Sequence, residues 1–313
     1  MILKNVRISV KGRPTEVPCL LVGDFHIIIK GRFLRYASVF DDFLDSRGVD
    51  DPDPIIHSLK KSKNADIFSF LISFDKSVDV EKISKSEFFY SIKYDYLAAI
   101  RITSFEHWWK NEINKNVRRK VKKAMEEGVF VREVPLEDKL IYGIVRIFNE
   151  TSVRQGKPFW HYGKNFNQVK EEISTYIDRS IFLGAFLGDQ LIGFAKLINC
   201  GSFGRANQLL SMVKYRDKSV TNALIAELVK ICERENIPYL VSGNWTDNSL
   251  GNFRRSNGFK KIAIPRHYVP LTLRGEVALR LGLHKGVREI LPYTVRRYLR
   301  LIRMYFYDRK IVR

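Results

Sequence analysis

Cysteine is scarce in this 313-residue chain: Cys19, Cys200 and Cys232 stand far apart and form no CxxC pair. That excludes a disulfide framework and a thiolate zinc site, and it fits a reducing compartment. Long apolar runs are missing too, and no stretch reaches the roughly 18 residues of a membrane span. The amino-terminal MILKNVRISVKGRP alternates apolar and charged residues where a secretion signal has an unbroken apolar core. A cytoplasmic location is the expectation. There is no Walker loop, no GxSxG elbow, no Ser-His-Asp arrangement and no His/Cys/Asp/Glu group at metal-ligand spacing, so no metal is expected. Acidic residues are also short, 34 against 54 Lys and Arg, for a net charge of +20. An excess of that size draws polyanions: nucleic acid, an anionic membrane face or phosphorylated small molecules. A generally basic composition that aids solubility is the plain alternative.

What is present is globular. Hydrophobic residues make up 45%, with 21 Phe and 14 Tyr, and the length has room for about two domains. Residues 1–103 read as a small α/β unit, with strands over 6–10, 17–22, 25–29, 66–74 and 88–102, and helices over 36–46 and 54–63. No catalytic motif stands out in it. Residues 104–128 read as one long bridging helix with Ser104 as N-cap. Its apolar stripe runs through Phe105, Trp108, Ile113, Val117 and Val121, and Lys and Arg crowd the other faces. That basic face is either solvated surface or a hold on an anionic substrate. Residues 129–272 follow the order ααββ-β-α-β-α-β. Its helices span 136–150, 166–179, 221–235 and 248–257, a hairpin turns at Gly188-Asp189, and a last pair of strands ends near Leu271.

Residues 209–221 form a strand, a short basic loop and a helix. Such a junction aims free backbone N–H groups and the positive end of the helix dipole at whatever enters the loop, which is the physics of a pyrophosphate site. Met212, Val213, Arg216, Asp217, Lys218, Ser219, Val220, Thr221 and Asn222 make up this candidate donor site, to which Asn252 is added from the helix over 248–257. Arg216 and Lys218 bring charge, and Ser219 and Thr221 bring hydroxyls.

Arg216-Asp217-Lys218-Ser219-Val220-Thr221 lies in register with Arg/Gln-x-x-Gly-x-Gly/Ala, the loop of the GNAT (GCN5-related) N-acetyltransferases, and this half resembles that family. Ser219 and Thr221 replace both glycines. Residues 252–259, ending in Gly258-Phe259, are similar to the family's closing helix and Gly-Phe turn, and residues 182–195 to its central hairpin. The bridging helix, with its tryptophans and its basic run, resembles FemAB-like proteins, in which tandem GNAT-like domains pass aminoacyl or acyl groups onto cell-envelope precursors. The first hundred residues match as a cut-down version.

The resemblance implies an α/β (α+β) fold, a GNAT-like mixed sheet flanked by helices, in two tandem units with a basic helical tail over 273–313. It implies acetyl-CoA or another acyl-CoA as donor, an amine on a sugar, peptide or envelope precursor as acceptor, and a backbone N–H near Met212 or Val213 to hold the thioester carbonyl. Arg254 stands where many members have a tyrosine that protonates the leaving thiolate. An arginine cannot be that acid near neutrality, but it can stabilise a thiolate or hold a phosphate. Without glycines the loop backbone approaches a pyrophosphate less closely. Two other readings therefore stay open: an aminoacyl-tRNA donor, and a non-catalytic module of this fold binding RNA or an anionic membrane face.

For the base that takes the amine proton, Glu150 and His161 flank the polar loop where this fold receives its acceptor. Arg154, Gln155, Tyr162 and Lys164 are close by in sequence for an anionic acceptor, and His267 and Tyr268 are further candidates. An ordinary loop whose aromatics pack on the core is the competing reading. The tail carries eleven Lys and Arg against three acidic residues from Arg274 to Arg313, interleaved with Leu, Val and Tyr. It reads as a basic amphipathic helix, packed on the body, on an anionic membrane at the inner face, or on a nucleic-acid backbone.

Overall fold

The computed structural model describes residues 3–10, 13–42, 44, 48–49, 51–71, 88, 91–283 and 298. Strands β1 (Leu3–Val10), β2 (Arg13–Val22) and β3 (Phe25–Lys30) form an antiparallel meander. β4 (Tyr36–Val39) follows, where a helix was expected over 36–46. Ala37 and Val39 are buried while Tyr36 and Ser38 are half-buried, a period of two that suits a strand, and pairing on both sides overrides the weak helical pattern. Residues 43, 45 and 46 of that stretch lie outside the described residues. Helix α1 (Asp53–Ser62) buries Ile55, Ile56 and Leu59 and makes the crossover from β4 to the parallel β5 (Ile67–Leu71).

After β6 (Ser91–Arg101) the bridging helix comes in two pieces, not one. Ser104 caps the His107 N–H as expected, and an α-turn, Phe105–His107, passes into a π-turn, Trp108–Glu112. Ile113 is then extended, and Asn114 accepts from the Val117 N–H at 2.9 Å to start α2 (Lys115–Glu126). The break follows from that side chain: an asparagine able to cap competes with continuing the helix. Arg118 Nη1 donates to the carbonyls of Trp109, Lys110 and Ile113 at 2.9–3.0 Å, so one member of the basic run satisfies acceptors the break leaves open.

β7 (Val129–Glu133), unforeseen, precedes α3 (Asp138–Phe148), the small hairpin β8 (Val153–Arg154) and β9 (Lys157–Pro158), and α4 (Phe166–Ile173). α4 is shorter than expected because Tyr176 adopts φ +57. The hairpin of β10 (Ser180–Leu187) and β11 (Gln190–Asn199) then leads to β12 (Gly204–Ser211), α5 (Val220–Arg234), β13 (Tyr239–Asn244) and α6 (Ser249–Ser256). The expected last pair of strands is a single one, β14 (Lys260–Pro270), followed by α7 (Leu273–Arg280). The expected basic tail helix lies outside the described residues from 284 on, apart from residue 298. Among the described residues no helix is long and apolar enough to cross a membrane.

One mixed sheet of twelve strands runs in the order β1-β2-β3-β4-β5-β14-β6-β13-β12-β11-β10-β7. The last strand among the described residues thus sits between two strands of the first half. α2, the Trp108 turn and α5 pack on one face, against Ala98, Ile100, Leu183 and Ala195. α3 and α4 pack on the other, against Phe182, Phe186 and Phe194.

Candidate active site

β12 and β13 run parallel but pair only at their first residues, Gly204 with Leu240 and Arg205 with Val241. Beyond that point they separate, and β13 also shifts register against β6 before Asn244. β11 is buried along nearly its whole length, whereas β12, also interior to the sheet, is half-exposed from Arg205 onward. An interior strand left open on one edge marks a split in the sheet. A bulge in β12 leaves Asn207 without a partner residue on β11, and bulges cluster at sites where a strand must present its backbone.

The loop after β12 is a 3-10 turn, Val213–Lys218, at the mouth of this split. Its amides are not all available. The Met212 N–H donates to the Ile192 carbonyl, and the Val213 and Lys214 N–H groups donate to the two oxygens of Glu150, at 2.5 and 2.9 Å. Glu150 also faces Arg154 Nη2 at 3.4 Å. The expected carbonyl-holding amides are therefore engaged, and Glu150 is not a free base: its carboxylate neutralises the loop's own donors. Lys218 pairs with Glu127 at the end of α2, while Arg216 and Asp217 are exposed. Thr221 Oγ1 is 3.1 Å from Ser211 Oγ, tying helix to strand. Val220 is core, and Asn222 is buried, donating to Asn257 Oδ1 at 2.9 Å. Asn252 is exposed and accepts from Arg255.

Ser219 holds φ +55, the left-handed conformation that glycine adopts most readily. A serine holds it at a backbone cost of about 1–2 kcal/mol. Ser219→Gly is expected to raise stability by about 0.5–1 kcal/mol and Ser219→Val to lower it, read from urea unfolding midpoints. Equal midpoints for all three chains would contradict the strain.

Arg254, on α6, donates through Nη1 to the Asn244 carbonyl at 2.5 Å, and its buried Nε has no partner among the described residues. Burial and the neighbouring charge of Arg205 both lower its basicity. Arg205 is on β12, next to the point where β12 and β13 part, and its charge is felt at Arg254.

On the α4 face lies a polar network. His161 is 4% exposed, packed against Phe148, Phe159 and Trp160, with Nδ1 3.3 Å from Glu172 Oε1. Burial lowers its basicity in spite of Glu172. Glu172 also receives Lys164 Nζ at 2.5 Å and Gln208 Nε2 at 2.9 Å. Burial raises its pKa, but His161 and Lys164 outweigh that and hold it below the ordinary carboxylate range. His161 and Lys164 are thus brought together, as internal partners of Glu172. Arg154 is also internal, donating to the carbonyls of Ser211 and Ile147 and lying over the Phe159 ring. Gln155, at φ +53, and Tyr162 are exposed on the loop. Tyr268 is elsewhere, paired with Ser69 and Ser91 at the far end of β14, and is not part of this site.

The sequence reading missed Lys196, Glu172, Gln208 and Arg205. Only Lys196 carried a signal, a lone cation within the apolar run QLIGFAKLIN. It is fully buried and donates to the carbonyls of Ile173 and Thr175, capping α4. Burial brings its pKa from 10.5 down to about 8. Between those values the unfolded chain binds the proton and the folded chain does not, so this group's contribution to stability improves as pH rises. From pH 7.5 to 10.5, wild type should gain about 3 kcal/mol relative to Lys196→Met. A difference in unfolding free energy that stays flat with pH would refute it.

A separate cavity of about 520 Å³ lies in the first half, lined in part by Glu16, Lys30, Arg35 and Asn64. Among the described residues there is no group of three or more His, Cys, Asp or Glu placed to hold a metal.

No protein-family model matches the chain, and no curated protein matches it. Solved structures do. FemX superposes with a TM-score of 0.60 at 12% identity, over 89% of this chain and 90% of that one. L-PGS from Bacillus licheniformis gives 0.57 at 11%, over 85% and 87%. The C-terminal domain of a putative lysylphosphatidylglycerol synthetase from Agrobacterium fabrum gives 0.55 at 12%, over 84% and 87%. At such identities the likeness is one of fold: this chain has the GNAT-like, FemAB-like architecture, a large mixed sheet flanked by helices.

Proposed function

We propose that the chain is an aminoacyl transferase of the FemAB kind, taking its group from an aminoacyl-tRNA and passing it to an amine at the split between β12 and β13. The observation that carries this reading is the Glu150 carboxylate on the Val213 and Lys214 N–H groups. A pyrophosphate entering the loop meets an anion already seated on two of its donors, and must displace it against like-charge repulsion. A donor whose phosphates bind elsewhere meets no such conflict. The +20 charge suits a polyanionic donor, and two of the similar structures are named for L-PGS and for a putative lysylphosphatidylglycerol synthetase. The same charge suits a position at an anionic membrane face.

In this scheme the acceptor nitrogen attacks the ester carbonyl, the bond from that carbon to the ribose oxygen breaks, and the ribose oxygen takes up the proton. Arg254 and Arg205 set positive charge beside the oxygen that gains negative charge. Acyl-CoA remains the second reading, favoured by the left-handed Ser219 and the exposed Arg216.

The two separate in one experiment. Wild type should show no thermal shift with acetyl-CoA, bind aminoacyl-tRNA with steep salt dependence, and transfer the aminoacyl group to an added amine. An acetyl-CoA shift that disappears in Arg216→Ala would move the donor to acyl-CoA. Loss of both responses would end the transferase reading.

A further inference from the structure

β6 pairs with β14 over residues 91–99 but with β13 only from Leu97 onward, and its first half leaves large side chains in water. Ile92, Tyr94 and Tyr96 are 45%, 58% and 45% exposed. They alternate along one face, the face on which Ala98 and Ile100 further along the strand are buried beneath Trp108 and α5. Burying a ring of this size is ordinarily among the larger gains in folding, so large side chains left bare in a row mark a surface that receives something. Their cross-strand neighbours on β14, Ala263 beside Tyr96 and Pro265 beside Tyr94, are small and leave the rings standing clear.

Two features say what that something is. Cations ride on the aromatic faces: Lys261 Nζ lies 3.9 Å from the Tyr96 ring centre, and Arg255 Cζ lies 5.4 Å from that of Trp245. The row also leads somewhere. The Trp245 N–H donates to the Tyr96 carbonyl at 2.7 Å, Trp245 follows Asn244, and the Asn244 carbonyl holds Arg254 at the split. Tyr94 and Tyr96 are thus linked, through the Trp245 backbone, to the segment that holds Arg254. Aromatic rings in series with cations beside them are what an unpaired nucleic-acid strand uses, bases on rings and phosphates on cations.

We infer that the Tyr94–Tyr96–Trp245 track is a stacking platform for the unpaired 3′ end of an RNA, delivering its terminal group to the split. This rests on the aminoacyl-tRNA reading and adds to it the path the donor takes.

The test uses the full chain and a fluorescein-labelled, unstructured RNA of about 12 nucleotides, within the site size of single-strand binders. Tyr94→Ala and Tyr96→Ala alter exposed side chains, and thermal melts confirm that each variant is folded. Each should weaken RNA binding about tenfold or more without changing the salt slope, because no cation is lost, whereas Lys261→Gln should flatten the slope. If wild type binds the oligomer and the tyrosine variants bind it equally well, the platform is wrong. If intact aminoacyl-tRNA still binds and reacts in those variants, the transferase reading stands without it. Failure of wild type to bind either RNA overturns both. Loss of binding to phosphatidylglycerol vesicles, with RNA binding intact, would give the face to a membrane and overturn the proposal.

Discussion

Arg266→Ala should cost about 3–5 kcal/mol of stability, a large part of what a domain has to spare. The guanidinium is 10% exposed and holds two carboxylates, Asp42 through Nη1 and Asp95 through Nε, each at 2.6 Å. Burial works against its charge, but Asp42 and Asp95 outweigh that and keep it more firmly protonated than a free arginine. Alanine would leave both carboxylates behind without the cation they share. The partners are 224 and 171 positions away in sequence, so one side chain joins the segment after β4, strand β6 and strand β14. Urea unfolding decides the matter, and a loss below about 1 kcal/mol would mean that the triad is weakly coupled. Adding Asp42→Asn to the alanine variant should recover part of the loss, because it removes one stranded charge.

Gly258→Ala should cost about 2–5 kcal/mol, from two separable sources. The residue sits at φ +84, where any side chain costs about 1–2 kcal/mol. A Cβ there would also meet Trp108, 2.9 Å from Nε1 and 3.2 Å from Cδ1. Trp108 cannot move aside cheaply: it is 1% exposed and donates to the Asn257 carbonyl at 3.1 Å. Overpacking of this kind costs about 1–3 kcal/mol. Gly188→Ala is the control, since that residue has φ +56 but nothing within 4 Å of an added Cβ. The gap between the two variants in thermal unfolding measures the packing contribution, and equal losses would show that Trp108 yields.

The same turn shows what could be read from the sequence and why. Gly258-Phe259, the Gly188-Asp189 hairpin and the helix of residues 220–234 were all legible, because each is set by a local signal: a residue that tolerates positive φ, or an apolar stripe at helical spacing. Residues 36–39 misled because a four-residue strand carries little period of its own and is held by neighbours on both sides. The break at Ile113 was hidden since the apolar stripe continues across it, with Ile113 and Val117 both in the core. For the site, the strand-loop-helix could be found from charge and pattern. The carboxylate that fills it could not, because Glu150 and Val213 are 63 positions apart and only the fold brings them together. Asn222 had the right residue type in the right place, yet faces inward to Asn257.

The position of β14 between β5 and β6 has a consequence for how this protein is made. A ribosome extending the chain from its amino terminus releases β5 and β6 long before the strand that separates them exists. Until residues 260–270 emerge, the nascent first half has a vacancy in the middle of its sheet, with unsatisfied backbone on both sides. Arg266, which neutralises Asp42 and Asp95, arrives with the same strand. Long-range closure of this kind is slow relative to local folding. The early half should therefore depend on chaperones during synthesis, and a chain stopped before Lys260 should be degraded as a whole rather than accumulate as a stable fragment.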